Sequence, residues 1–221
     1  MLTPRRWAAI AGLLLATAVA LSGCAKVPGV YVYEDKGAQP AGAAPADAKS
    51  YVADAWAARI VPTVHDQATE IGTVAAALAQ DPAAAGQQYG HQAGTGSPYA
   101  FMVKGTGTVT KVDTSVQTGP MTVEVAQSGG KPLTISIATG PVIAGTALRD
   151  AVGFISFGDF TNQIEYADVA NEINARVKTE VIAKVDLAAA VGKEITFHGA
   201  FSALPNAPTI LVVPTELSVA S

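Results

Sequence analysis

Five side chains with several hydrogen-bonding atoms lie close together in an otherwise apolar segment. They are Arg149, Asp150, Asp159, Asn162 and Gln163. Planar guanidinium, carboxylate and amide groups bind sugar hydroxyls well, and nearby aromatic rings offer flat faces for stacking. The aromatic residues are Phe157, Phe160 and Tyr166. The five polar residues and Tyr166 are therefore the candidate ligand-binding residues of this chain.

The same residues also have a purely structural interpretation. An arginine beside an aspartate in an apolar segment is costly to bury unless both groups are hydrogen-bonded. Arg149 can satisfy this need by pairing with Asp150 or Asp159, which would hold the segment against the start of the next helix. We favour this structural role, and the cluster remains the best place to look for a site.

Evidence for catalysis or metal binding is weak in the sequence. No Gly-x-Ser-x-Gly nucleophile elbow occurs. The three histidines, His65, His91 and His198, are isolated from one another, and no pair has metal-ligand spacing. His198 alternates with Phe197 and is expected to point outward into solvent. We expect no metal, no cofactor and no enzymatic activity.

The only cysteine is Cys24, and its surroundings predict export and lipidation. An apolar run from Trp7 to Leu21 follows Arg5 and Arg6, and it is too short for a comfortable membrane span. Leu21-Ser22-Gly23-Cys24 resembles the lipobox of bacterial lipoproteins. Residues 1–23 are then a removed signal peptide, and Cys24 carries acyl chains such as palmitate that anchor the protein.

Composition limits the remaining possibilities. The chain has 221 residues, and removal of residues 1–23 leaves 198, enough for one medium domain. Without Arg5 and Arg6, 12 basic residues face 18 acidic ones, a net charge of −6. This charge argues against nucleic-acid binding. With Cys24 lipidated, no intrachain disulfide is possible, so packing alone must stabilise the core.

The mature chain divides into three parts. Residues 24–47 contain a Gly/Ala/Pro tract without apolar periodicity, which is typical of a tether. Residues 48–96 have helical periodicity and predict a helical hairpin in which Pro62 stops or kinks the first helix. Residues 97–221 predict a β domain that contains one long helix at 162–184, and Asn162 and Glu165 have the spacing of a capping box at the start of this helix.

The order of elements in the β domain predicts its fold. Alternation at 101–109, 121–126 and 133–137 indicates three strands, and two more follow the long helix. Glycines on the inward face of the first strand indicate that it coils sharply or is crossed closely. Three strands, a helix and two strands are typical of a mainly β, α+β chain with an OB-like five-stranded antiparallel barrel. An open sheet with the helix across it uses the same elements.

Several motifs together resemble a known family. They are Lys104-Gly105-Thr106-Gly107, Gly140-Pro141-Val142-Ile143, Gly145 to Asp150, Phe157 to Ala167 and Gly192-Lys193. With these motifs, the chain resembles an uncharacterised family of predicted periplasmic lipoproteins associated with ribose-type sugar ABC transporters. The resemblance implies an OB-like domain with a helical extension, and an accessory role near a sugar importer.

The leading expectation is a non-enzymatic, lipid-anchored envelope protein that contacts the permease or the substrate-binding protein of a sugar ABC transporter. One alternative is a stand-alone sugar-binding lipoprotein that uses the Arg149 cluster. A weaker alternative is an envelope hydrolase with Asp150 and Asp159 as its carboxylates. The ligand, the partner, the oligomeric state and the choice between inner and outer membrane stay open.

Overall fold

The computed structural model describes residues 47–127, 130–204 and 209–220. The predicted signal peptide, the predicted lipidation site Cys24 and the predicted tether up to residue 46 lie outside the described residues. Within these ranges, no helix combines the length and apolar character needed to cross a membrane.

The first helices run without a break through the proline that was expected to stop or kink them. Helix α1 (Ala48–Ala55) continues through a π-helical segment (Trp56–Ile60) into α2 (Val61–Gln67). The Val61 N–H bonds to the Trp56 carbonyl, five residues back. Pro62 has no N–H and would crowd the carbonyl four residues before it, so the wider turn accommodates its ring.

Four further helices follow in the described residues. They are α3 (Ile71–Gln80), α4 (Pro82–Tyr89), α5 (Ala147–Ala151) and α6 (Gln163–Arg176). Helix α6 continues through a second π-helical segment (Val177–Val181) and a short 3-10 turn (Ile182–Lys184). The long helix predicted at 162–184 is therefore present, with its residues in three successive helical geometries.

Within residues 47–127, 130–204 and 209–220, seven strands form one sheet. They are β1 (Thr69–Glu70), β2 (Gly90–Gln92), β3 (Tyr99–Val112), β4 (Pro120–Val125), β5 (Leu133–Ala138), β6 (Glu194–Ser202) and β7 (Leu211–Val219). The five long strands pair in the order β3, β4, β5, β7 and β6, and β6 pairs again with β3. Helix α6 lies between the third and fourth long strands along the chain, as the sequence predicts.

The expectation that all strands are antiparallel is wrong. Strand β5 pairs with β7 in parallel, with Ile137 opposite Val212, and β1 pairs with β3 in parallel, with Thr69 opposite Val103. Short polar turns predict antiparallel pairing only between strands that follow one another directly. Strands β5 and β7 are separated by α5, α6 and β6, which allow β7 to return in the same direction as β5.

Strand β3 holds the sheet together because it pairs with four other strands. Its residues 100–108 pair with β6, and residues 108–112 pair with β4, with a register shift between Val109 and Lys111. A Cβ at Gly107 would lie 2.6 Å from the Glu124 carbonyl oxygen. Glycine is required there because the backbones approach closely, which confirms the interpretation of the inward glycines.

Two apolar cores lie on the two sides of this strand cycle. One is formed by the inward faces of the five long strands and is covered by Ile71 and Val74 of α3. The other lies between the strands and the helices, where α1 packs on α6. The helices of the N-terminal extension therefore share their cores with the β domain.

We expect Gly107→Ala to lower the free energy of unfolding by about 2 kcal/mol or more, because the added methyl group meets backbone rather than a movable side chain. Gly158→Ala is the matched control, since a Cβ at Gly158 has no atom within 4 Å. Urea denaturation measures both variants. Equal stability of the two variants would contradict the close crossing of β3 and β4.

Candidate functional site

Arg149 is buried and its hydrogen bonds are made inside the protein. The side chain of Arg149 binds Oδ1 of Asp150 through Nε and Nη2, both at 2.8 Å, and Nη1 donates to the Tyr166 carbonyl at 3.0 Å. The guanidinium carbon lies 3.7 Å from the centre of the Tyr166 ring. The second carboxylate oxygen of Asp150 accepts a bond from the Thr146 hydroxyl. These contacts join α5 to α6.

The other predicted site residues do not join this group. Asp159 accepts a hydrogen bond from the Ser156 N–H in its own 3-10 turn. Asn162 caps α6 by accepting bonds from the N–H groups of Ile164 and Glu165. Gln163 is exposed at the first position of α6. Of the six candidates, only Arg149, Asp150 and Tyr166 are brought together.

The predicted capping box of α6 is present only in part. Asn162 caps the helix as expected. The Glu165 carboxylate accepts a bond from the Thr161 N–H, one residue before the cap, where the motif requires the N–H of Asn162 itself.

A second polar group lies on the outer face of the sheet and forms a row across four strands. Glu70 of β1 is opposite Lys104 of β3, Lys104 is opposite His198 of β6, and His198 is opposite Glu216 of β7. Side chains at directly opposed positions point to the same face. We call these four residues the polar row.

Helix α2 adds a second histidine to the polar row. The rings of His65 and His198 are stacked, with centroids 4.5 Å apart and an interplanar angle of 22°. Nδ1 of His65 lies 2.8 Å, and Nδ1 of His198 lies 3.0 Å, from the same oxygen, Oε2 of Glu216. An ionised carboxylate can only accept, so Nδ1 of His65 carries a hydrogen and donates it to Glu216, while Nδ1 of His198 makes an electrostatic contact with the same oxygen.

The pKa values of the two histidines are shifted in opposite directions. The hydrogen bond and charge of Glu216 raise the pKa of His65, whose side chain is 55% exposed. Burial lowers the pKa of His198, whose side chain is 22% exposed, although the Glu216 charge opposes this effect. The outward direction predicted for His198 is confirmed, but α2 covers much of its ring.

Glu216 also lines an open cleft of about 420 Å³. Its walls are β7 at residues 215–218 and two helical regions that carry Trp56, Ala57, Glu180 and Lys184. Both π-helical segments of the described chain therefore border this one cleft. Segments of π-helix inside α-helices are frequent at functional sites, because they cost helix regularity. The cleft and the polar row are the candidate functional site.

Sequence reasoning missed this site because its members are far apart along the chain. His65 and Glu216 are 151 positions apart. The alternation of β3 and β6 placed Lys104 and His198 on outward faces, but only the strand register shows that they are neighbours. The position of α2 over β6 has no local sequence pattern.

The strand order and the helix position define the class of this protein. They are those of an OB-fold protein of the α+β class. The crystal structure of an OB-fold protein from Thermotoga maritima is similar, with a TM-score of 0.65 and 21% sequence identity over 79% of this chain and 99% of that chain. This likeness shows the fold.

The family is shown by the sequence itself. The chain belongs to the family described as predicted periplasmic lipoprotein (DUF2291), whose model matches residues 14–218. This membership agrees with the lipid-anchored envelope localisation that the Cys24 motif predicts. No curated protein matches the chain.

We expect Arg149→Ala to lower the free energy of unfolding by about 3 kcal/mol, because Asp150 and the Tyr166 carbonyl lose a buried partner. The Tyr166 hydroxyl is buried without a hydrogen-bond partner among the described residues. Tyr166→Phe should therefore leave stability unchanged or raise it by up to about 1 kcal/mol.

Urea denaturation tests the two variants, with Arg176→Ala as a control that removes a more exposed ion pair with Glu180 and costs about 0.5 kcal/mol. If Arg149→Ala were no more harmful than Arg176→Ala, the structural role of Arg149 would be wrong.

In metal-free protein, we expect His65 to titrate at a higher pH than His198 in histidine NMR spectra. Glu216 and Asp66 raise the pKa of His65, with Glu216 the larger cause, and Lys104 lowers it. Burial lowers the pKa of His198 most, His65 and Lys104 lower it further, and Glu216 and Glu70 raise it. Glu216→Gln should lower the His65 midpoint. An unchanged midpoint would show that the two side chains are not in contact in solution.

Proposed function

We propose that this protein is a non-enzymatic, lipid-anchored accessory protein of a sugar ABC transporter in the bacterial cell envelope. Membership of the periplasmic lipoprotein family supports the anchoring. The motifs quoted above, from Lys104 to Lys193, support the association with a sugar importer. The anchor at Cys24 restricts the domain to the membrane surface, where a permease and its binding protein are reached without long diffusion.

The observation that carries the proposal is the convergence of two π-helical segments on one cleft. A cleft of about 420 Å³ is within the range of about 300–1,000 Å³ that ligand sites occupy. It presents charged and hydroxyl side chains beside the edge of Trp56. Such a mixed surface suits a polar partner segment or a hydroxyl-rich ligand better than a lipid chain.

The scaffold suits this role. The cycle of five long strands with an apolar inner core supports an OB-like barrel. In such a barrel the register of neighbouring strands is fixed by closure, so β7 is held rigidly. A rigid strand on one wall and two helices on the other make a preformed binding surface.

Stand-alone sugar binding at the Arg149 cluster has less support. Asp150 and Thr146 border a cavity of only about 190 Å³, below the usual size of a ligand site. The hydrogen-bond donors of Arg149 point to Asp150 and the Tyr166 carbonyl. A hydrolase that uses Asp150 and Asp159 has less support still, because Asp150 is held by Arg149 and Asp159 belongs to a local turn.

Deletion of the gene should reduce uptake of one sugar in a panel of radiolabelled pentoses and hexoses, and the full-length gene should restore it. We expect Ala57→Arg not to restore uptake, because Ala57 is exposed and lines the cleft, and the long charged side chain would fill it.

Ala58→Arg is the matched control, since Ala58 is the next residue, is also exposed and lies outside the cleft. It should restore uptake fully at equal protein level in the membrane. Unchanged uptake of every sugar after deletion would refute the transporter role. Full restoration by Ala57→Arg would refute the role of the cleft.

A further inference from the structure

We propose that His65, His198 and Glu216 bind a divalent transition-metal ion, with Zn²⁺ as the best fit. The three side chains present two imidazole nitrogens and one carboxylate oxygen, and all three atoms lie within 4.8 Å of one another. Two histidines and a glutamate are a ligand set that zinc uses in proteins when three protein ligands leave a further position open. These observations hold whether or not the protein serves a transporter.

The distances to the shared oxygen favour coordination. Zinc bonds to nitrogen and oxygen are about 2.0–2.2 Å long, so neighbouring atoms of a tetrahedral ligand set are about 3.3–3.6 Å apart. The two Nδ1 atoms are 2.8 and 3.0 Å from Oε2 of Glu216, so an ion needs them to move away from this oxygen by only a few tenths of an ångström. A metal ion would bind each Nδ1 in place of a hydrogen, each neutral ring would then carry its hydrogen on Nε2, and the rings would move slightly.

The three proposed ligands lie on elements that differ in how firmly they hold the side chain. His198 and Glu216 are directly opposed on β6 and β7, so their backbones are fixed by the sheet. His65 comes from α2 and has a mostly exposed side chain, so its ring can rotate toward the metal. Two fixed ligands and one adjustable ligand can close around an ion without movement of the fold.

The surrounding charges favour a cation. Glu70 and Glu216 belong to the polar row, and Asp66 follows His65 on α2, whereas the opposing charge of Lys104 acts on both histidines. Three carboxylates and one ammonium leave the group negative before any metal binds. Soft thiolates are absent from the set, and imidazole with carboxylate selects zinc and its neighbours over Mg²⁺ or Ca²⁺.

Metal binding would also change the cleft. Glu216 lines the cleft and also contacts both histidines. A bound dication would neutralise the negative charge at that end of the cleft, and its open coordination position would accept an oxygen or nitrogen atom of a partner.

Isothermal titration calorimetry tests the proposal with ZnCl₂ and the full-length protein, purified from membranes in detergent and stripped with EDTA. We expect one Zn²⁺ per chain, and no comparable binding of MgCl₂. His65→Ala, His198→Ala and Glu216→Gln should each weaken binding at least tenfold. His91→Ala is the control, because His91 lies on β2 outside the polar row, and it should bind zinc like the wild type.

Lys104→Ala distinguishes a direct effect on zinc binding from misfolding, because misfolding would weaken binding and this variant should strengthen it. Removal of the nearby ammonium should tighten zinc binding several-fold, because a repulsive charge is lost. Absence of zinc binding to the wild-type protein would overturn the proposal. So would binding that survives His65→Ala and His198→Ala together, or binding that is lost in His91→Ala.

Discussion

The whole structure depends on strand β3, which pairs with four other strands. The first part of strand β3 pairs with β6 and its last part pairs with β4. Strands β1 and β2 also pair with β3. A strand can do this only if it coils strongly, and Gly107 permits the close approach of β4 at the point where the partners change. The register of β3 with β6 then sets where every later strand lies.

The polar row follows directly from that register. Lys104 faces His198 only because β3 and β6 are aligned as they are, and a shift by one residue would turn His198 toward the inner core. The helical layer completes the site. The π-helical segment before Pro62 keeps α1 and α2 continuous, and this continuity carries His65 over the ring of His198.

The sequence predicts those features that depend on neighbours along the chain. Alternation located the five long strands but not the short strands β1 and β2, helical periodicity located α6, and the capping residue Asn162 marked where α6 begins. The composition of the segment around Arg149 showed that this arginine needed buried partners, and Asp150 was among those expected. The Tyr166 carbonyl was not, because a backbone acceptor has no sequence signal. The sequence does not predict the parallel pairing of β5 with β7 or the stacking of His65 on His198. Both depend on contacts between residues that are distant along the chain.

We expect the β3–β6–β7 register to build a binding surface from His198 and Glu216, with His65 above them. X-ray diffraction from zinc-soaked crystals, recorded on both sides of the zinc absorption edge, would show both the register and the ion. One anomalous peak should lie about 2.1 Å from Nδ1 of His65, Nδ1 of His198 and a Glu216 oxygen. A map with no peak there, or one in which His198 and Glu216 are not paired across β6 and β7, would refute this surface.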